Sequence, residues 1–106
     1  MGPLQGIKIV EFSGIGPGPY CGMLLADLGA DVIRISRKET EGLENKFDIH
    51  NRSKRTITAD LKNKETAKEL LKLIGQVDVV FEGFRPGVME KLGLGPDECL
   101  KVNPKL

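Results

Sequence analysis

A glycine-rich stretch near the start of the chain has the residue types and spacing of a phosphate-binding loop. Residues 11–22 read EFSGIGPGPYCG and follow the apolar run Ile7–Val10. A glycine loop between a strand and a helix lets backbone N–H groups approach the phosphates of a nucleotide. The stretch therefore points to a nucleotide ligand at the end of the first strand.

Two departures from the dinucleotide fingerprint argue against NAD. The G-x-G-x-x-G pattern needs a third glycine, but Pro19 stands in its place, and Pro17 and Pro19 both lack an N–H donor. At the end of the next predicted strand, NAD-binding domains carry an acidic residue, whereas this chain has Ser36, Arg37 and Lys38. Cations there suit the 2′-phosphate of NADP or the 3′-phosphate of coenzyme A, or they are solvated loop residues.

More cations follow the later strands. Residues 51–55, NRSKR, place three cations in five residues, which suits either phosphate binding or a solvated surface. Lys62 and Arg85 each follow a predicted strand, and Phe84 beside Arg85 would stack on a purine or cap the core. Because open α/β sheets bind ligands outside the carboxyl ends of their strands, these cations are expected to converge.

The remaining reactive side chains form no catalytic or metal-binding pattern. His50 is the only histidine and is predicted to be an ordinary surface residue. Cys21 and Cys99 lack metal-ligand spacing and are predicted to be reduced, half-buried thiols. Asp31 and Asp78 begin predicted strands, where carboxylates serve turns and caps. We therefore predict no catalytic residue and no metal site in these residues.

Strands and helices that alternate along the chain have to position these groups. Strands are predicted at Ile7–Phe12, Asp31–Ser36, Thr56–Ala59 and Val77–Phe81. Helices are predicted from the glycine loop to Gly29 and at Asn63–Ile74, Gly87–Leu92 and Pro96–Val102. The alternation predicts an α/β fold with a Rossmann-like parallel sheet and flanking helices.

Apolar spacing predicts which face each long helix buries. The first helix is predicted to bury Tyr20, Cys21, Leu24, Leu25 and Leu28. The second is predicted to bury Ala67, Leu70, Leu71 and Ile74, with lysine and glutamate on the opposite face.

Composition limits the classes of partner. A chain of 106 residues suits one small domain, and its net charge of +1 favours neither nucleic acid nor an anionic membrane. No apolar run has the length of a membrane span, and the N-terminus lacks a signal-peptide pattern. We therefore expect an intracellular protein without nucleic-acid or membrane partners.

Several long motifs resemble one known family. They are LQGI, SGIGPGPYCGMLLADLGADVIRI, NRSKRTITADLK, VDVVFEGFRPGVMEKLGLGP and VNPKL, which occur in this order between residues 4 and 106. The chain resembles the N-terminal part of family III CoA-transferases (the CaiB/BaiF family), and GVMEKLGLGP is most similar to the α-methylacyl-CoA racemase branch. Residues 1–106 would then be part of a Rossmann-like CoA-binding domain, with the remainder of that domain and the second domain absent.

The resemblance implies a binding site for an acyl-CoA thioester, with coenzyme A as part of the substrate and no covalent cofactor. The residues it assigns to coenzyme A are Arg37, Ala59, Asp60, Leu61, Lys62, Gly83, Phe84, Arg85 and Lys91. The glycine loop would lie near the thioester rather than hold pyrophosphate. One departure is Ser36-Arg37-Lys38, where the family usually has an acidic residue before Arg-Pro, and the segment Glu39–Ile49 is idiosyncratic too.

Several functions remain open at this point. The racemase branch epimerises 2-methylacyl-CoA thioesters, whereas the transferases move CoA between carboxylic acids, and the resemblance places the catalytic residues of both beyond residue 106. We therefore expect no activity from this chain alone, and a homodimer for the full-length relative. Members are cytoplasmic in bacteria and mitochondrial or peroxisomal in eukaryotes. A truncated interaction module is a third hypothesis, and a dehydrogenase is the weakest.

Overall fold

The predicted α/β architecture is confirmed. A computed structural model describes residues 2–37 and 49–106, within which four parallel strands form one sheet in the order β3-β2-β1-β4. The strands are β1 (Lys8–Phe12), β2 (Asp31–Arg37), β3 (Arg55–Ala59) and β4 (Val79–Phe81). The helices are α1 (Pro17–Asp27), α2 (Lys64–Ile74), α3 (Val88–Lys91) and α4 (Pro96–Val102), with a 3₁₀ turn at Ile49–Asn51.

Apolar side chains on the two faces of the sheet form two cores. On one face, the side chains of β1 and β2 pack against α2, α3 and α4, and Phe12 and Ile35 are fully buried there. On the other face, Ile9 and Val32 pack with Ala26 of α1. β1 and β2 are covered on both faces, so nearly all of their residues are buried, including the polar residues Glu11, Arg34 and Ser36.

Local signals explain the element boundaries. Asn63 caps α2, since its side chain accepts a hydrogen bond from the Glu65 backbone N–H at 2.8 Å. Gly29 follows α1 with φ of 104°, a conformation that glycine adopts without strain. Asp78 accepts a hydrogen bond from the Lys8 backbone N–H at 2.8 Å, and Asp31 pairs with Arg55. Both carboxylates therefore fasten strand starts, as predicted.

The predicted buried face of α1 is wrong except for Leu25, which is half-buried against the core that contains Ile9 and Ala26. The helix buries Pro19, Gly22, Met23 and Ala26, whereas Tyr20, Leu24 and Leu28 are each between 43% and 51% exposed. The small residues Gly22 and Ala26 let the helix axis approach the sheet closely, so the larger apolar side chains point outward. Helical periodicity located the helix correctly but could not tell which of its two apolar stripes faces the sheet. For α2 the predicted face is confirmed, with Ala67, Leu70 and Ile74 buried.

The two cysteines differ from their predicted half-buried state. Both are free thiols, but Cys21 is exposed on α1 and Cys99 is buried in α4. Burial raises the pKa of the Cys99 thiol, and the nearby Glu98 carboxylate raises it further. In the parts of the chain that the structure describes, no helix is long and apolar enough to cross a membrane.

Candidate functional site

The strand order places the loops after β1 and β4 together at the carboxyl edge of the sheet. From β1 the chain moves outward to β2 and β3, then returns to β4 on the other side of β1. The order therefore reverses between β1 and β4, and a crevice at such a point is where open α/β sheets bind ligands. The glycine loop follows β1, and residues 82–87 follow β4, so both border this crevice.

A cleft of about 300 Å³ opens at this edge, on the face that carries α2 and α3. Its lining residues are Arg37, Leu61, Lys62, Phe84, Val88 and Leu92. Two cations thus face a mainly apolar wall. The guanidinium carbon of Arg37 lies 5.3 Å from the centroid of the Phe84 ring, a cation–π distance. Phe84 therefore contacts the guanidinium of Arg37 with its ring, an interaction that the sequence did not suggest.

The end of β2 and two tight turns position the side chains that line the cleft. Arg37 is the last residue of β2, and strand alternation sends its side chain to the same face as Ile35. The Lys62 backbone N–H donates a hydrogen bond to Asp60 Oδ1 at 3.2 Å, and the Phe84 backbone N–H donates one to Glu82 Oε2 at 2.7 Å. Each acidic side chain closes a tight turn directly after a strand.

The structure brings together part of the predicted coenzyme A set. Arg37, Leu61, Lys62 and Phe84 line the cleft. Ala59 pairs in register with Arg37, and Asp60 closes the Lys62 turn. Gly83 lies in the connecting turn with open space around its Cα. Arg85 and Lys91 are exposed and are not among the residues that line the cleft, and Lys38 lies outside the described residues.

Two apolar wall residues were missed from sequence. Val88 and Leu92 are four residues apart, one helical turn, and both face the cleft from α3 and its C-terminal end. The four-residue spacing of these two apolar residues in GVMEKL is the sequence signal that could have identified them.

The basic segment NRSKR is used within the protein. Each of its three cations pairs with a carboxylate: Arg52 with Asp27 at 2.6 Å, Lys54 with Glu11 at 2.8 Å and Arg55 with Asp31 at 2.6 Å. Arg52 holds the pKa of the exposed Asp27 carboxyl below its ordinary value, through their hydrogen bonds above all. The segment therefore ties the start of β3 to α1, β1 and β2, and each of its three cations has a carboxylate partner within the protein.

The middle pair of this segment is fully buried. The side chains of Glu11 and Lys54 have no solvent exposure. Gly22 of α1 lies directly above them, where a Cβ would overlap Glu11 Oε1 and lie 2.9 Å from Lys54 Nζ. Close packing of helix on strand is the task of the third glycine in dinucleotide-binding loops. Here Gly22 performs it, although Pro19 occupies the usual position.

Burial dominates the electrostatics of Glu11. Desolvation raises the pKa of the Glu11 carboxyl above its ordinary value. The contact with Lys54 and the positive charges of Lys54 and Arg34 lower this pKa, but their effect is smaller than that of desolvation. Arg34 is buried beside Glu11 and donates hydrogen bonds to Ser13 Oγ at 3.2 Å and Thr56 Oγ1 at 3.3 Å. The sheet face under α1 is thus polar at its carboxyl end.

A comparison with models of protein families shows to which family this chain belongs. The model of CoA-transferase family III matches residues 4–106. The chain belongs to CoA-transferase family III. Among residues 2–37 and 49–106 of this family member, no group of three or more histidine, cysteine or acidic side chains is arranged to hold a metal ion.

Relatives within CoA-transferase family III include both racemases and transferases. The chain is 47% identical to α-methylacyl-CoA racemase of Mus musculus over 103 residues, covering 97% of this chain and 26% of the racemase. It is 36% identical over 115 residues to formyl-CoA:oxalate CoA-transferase of Afipia carboxidovorans, covering 97% of this chain and 27% of that enzyme. The chain therefore spans about a quarter of the length of these relatives.

A solved structure supports the fold assignment within CoA-transferase family III. The crystal structure of Rv3272 from Mycobacterium tuberculosis superposes with a TM-score of 0.90 and 38% identity, over 100% of this chain and 32% of that one. Rv3272 is described as a probable fatty acyl-CoA transferase. The sheet order and flanking helices reported above are therefore a fold of this family.

Proposed function

We propose that the chain is the coenzyme A-binding portion of an acyl-CoA enzyme, with Arg37 and Lys62 holding the 3′-phosphate end of the nucleotide. The observation that carries this proposal is the cleft, in which both cations stand beside an apolar wall at the strand ends. Guanidinium and ammonium groups are the usual partners of phosphate oxygens. The apolar residues Leu61, Val88 and Leu92 offer a surface for an adenine ring.

The other predicted residues take supporting places in this proposal. Ala59 and Asp60 shape the turn that presents Lys62, and Gly83 leaves room for the nucleotide. Arg85 and Lys91 would meet phosphates from outside the cleft. The glycine loop, centred on the exposed Ile15, would lie near the thioester, because it borders the crevice and its prolines leave few N–H donors.

We further propose that the full-length enzyme is a racemase of 2-methylacyl-CoA thioesters. The 47% identity to the mouse racemase supports this choice over the 36% identity to the formyl-CoA transferase. Racemisation needs a base that removes the α-proton, an acid that returns it on the other face, and stabilisation of the enolate. We assign these groups to segments beyond the matched quarter, so this chain alone is expected to be inactive and the whole enzyme to be a homodimer.

Calorimetric titration with CoA, dephospho-CoA and NADPH tests the binding proposal. We expect CoA to bind at least ten times more tightly than dephospho-CoA, because the latter lacks the 3′-phosphate. Arg37→Ala is expected to weaken CoA binding about tenfold or more, since a hydrogen bond to a charged group contributes about 1.5–3 kcal/mol.

Arg52→Ala provides the control for this titration, because it removes an equal charge from the exposed pair with Asp27 and leaves the cleft untouched. Circular dichroism verifies that each variant is folded. Equal affinity for CoA and dephospho-CoA would refute the 3′-phosphate site, and preference for NADPH would refute the coenzyme A assignment.

A transferase remains the alternative enzyme, and one feature favours an interaction module as the alternative for the chain alone. Tyr20, Leu24 and Leu28 form an exposed apolar stripe on α1, and such stripes are typical of surfaces that bind partners. Sedimentation analysis tests the interaction module. Association that increases with concentration would support the module, whereas a monomer at high concentration would argue against it.

A further inference from the structure

The buried ammonium of Lys54 connects three separate segments of the chain, namely β1, α1 and the basic segment NRSKR. Its Nζ lies 2.8 Å from Glu11 Oε1 in β1 and donates hydrogen bonds to the Pro19 carbonyl oxygen at 3.1 Å and Asn51 Oδ1 at 3.3 Å. The ammonium group thus uses two of its three donors in these hydrogen bonds, and the Glu11 carboxylate balances its charge. Lys54 itself precedes β3, and Pro19 belongs to the first turn of α1.

The two ends of the glycine loop are held by different partners. At its start, the Ser13 backbone N–H donates a hydrogen bond to the Ile35 carbonyl oxygen at 2.9 Å, and Ser13 Oγ accepts one from Arg34. At its end, the Pro19 carbonyl oxygen accepts the bond from Lys54. Between these two points, Gly14, Gly16 and Gly18 are surrounded by open space. The position of the loop is therefore set by its ends.

A buried ion pair is a costly way to gain stability. Apolar side chains of the same size commonly stabilise a protein as well or better, because both charges of a buried pair lose their hydration. What an apolar pair cannot supply is a directed bond to the Pro19 carbonyl. The geometry thus favours a role in placing the loop over a role in stability alone.

We propose that Lys54, supported by Glu11, is a positioning residue that fixes the first turn of α1 and with it the glycine loop at the crevice. Glu11 holds the ammonium from below, Gly22 lets the helix approach it, and the ammonium fixes the helix start. Because β1 lies between β2 and β4, the loop stands between the strand ends that supply Arg37 and Phe84. The consequence for ligands depends on the proposed function: the loop then sets the affinity for the acyl end of the thioester.

Hydrogen exchange measured by mass spectrometry tests the positioning role without any ligand. The test variant is Glu11→Leu/Lys54→Met, which keeps the side-chain sizes and net charge but removes the bond to Pro19. We expect the amides of Tyr20 to Leu24 in α1 to exchange at least tenfold faster than in the wild type, while the β2 amides remain protected. The matched control, Asp31→Asn/Arg55→Gln, removes the exposed neighbouring pair and is expected to change neither set.

Unchanged exchange in α1 would overturn the proposal. Equal acceleration in α1 and β2 would also overturn it, because it would reveal a general loss of stability instead of a local release. Since Tyr20 to Leu24 can be followed without coenzyme A, this result stands even if the wild type binds no CoA and the proposed function fails.

Titration with CoA and with a 2-methylacyl-CoA then tests the consequence for binding. We expect the double variant to bind CoA within about twofold of the wild-type affinity, but to lose about tenfold in affinity for the acyl-CoA. A parallel loss for both ligands, or no loss for either, would contradict a role of the loop at the acyl end.

Discussion

Replacing Gly22 with alanine should destabilise the protein by about 3 kcal/mol or more, although alanine is the better helix former. The added Cβ would overlap the Glu11 carboxylate. A carboxylate is the mobile end of a side chain, but here it is fully buried against Lys54, so moving it separates the two charges without access to water. Separating a buried pair costs about 3–5 kcal/mol, which is a large part of the stability of a small domain.

Gly18→Ala is the matched control for this substitution, because it lies in the same helix with no atom near the new Cβ other than those of its chain neighbours. It should change the stability by less than about 1 kcal/mol, because the gain in helix propensity is opposed by crowding between the new Cβ and the ring of Pro19 in a helical residue that precedes proline. Urea unfolding followed by circular dichroism measures both variants. A Gly22→Ala variant as stable as Gly18→Ala would contradict the close packing of α1 against the ion pair of Glu11 and Lys54.

Removing the buried cation should destabilise the protein in a way that depends on pH. Lys54→Met leaves Glu11 buried without its partner and should cost about 3–5 kcal/mol near neutral pH. In the wild type, burial already raises the pKa of Glu11 above its ordinary value of 4.5, so the folded state holds this proton more tightly than the unfolded state. The free energy of stabilisation that proton binding by Glu11 contributes is therefore fully present below about pH 4.5, and it is lost as the pH rises through the pKa of Glu11 in the folded state.

In Lys54→Met the pKa of Glu11 should rise further, because a contact and a charge that lowered it are gone. We therefore expect a smaller loss of stability at pH 4 than at pH 7. Urea unfolding between pH 4 and pH 8 measures this trend. The control Glu11→Gln/Lys54→Met has no titrating group at position 11, so its loss of stability should not depend on pH in this way. Parallel pH profiles for the two variants would show that Glu11 is not the group that titrates.

The positions of most elements followed from local sequence. The apolar run around Val10 and the amphipathic pattern of α2 depend on neighbours within a few residues, and so does the cap at Asn63. Strand ends moved by one or two residues, as for β4, which begins at Val79 instead of Val77. These signals are short-range, so the sequence could state them without knowledge of the rest of the fold.

The candidate site was predicted only in part. The order of the strand ends placed Arg37, Lys62 and Phe84 at one edge, and these three side chains do line one cleft. The cation–π contact between Arg37 and Phe84 was missed because it joins the last residue of β2 to the turn after β4, and these two strands are not adjacent in the sheet. A carboxylate within the apolar run KIVEF was the available sign of a buried partner for Glu11.

The sequence by itself determined the α/β class, the succession of elements and the family motifs of this protein. The tertiary structure decided which cations line the cleft and which form ion pairs with carboxylates. Lys54 and Glu11 are far apart in the sequence and come into contact only when the strands assemble into the sheet. The tertiary structure also decided which stripe of α1 is buried. Periodicity fixes the shape of a helix, but close packing at Gly22 and the charges beneath it select the face that meets the sheet.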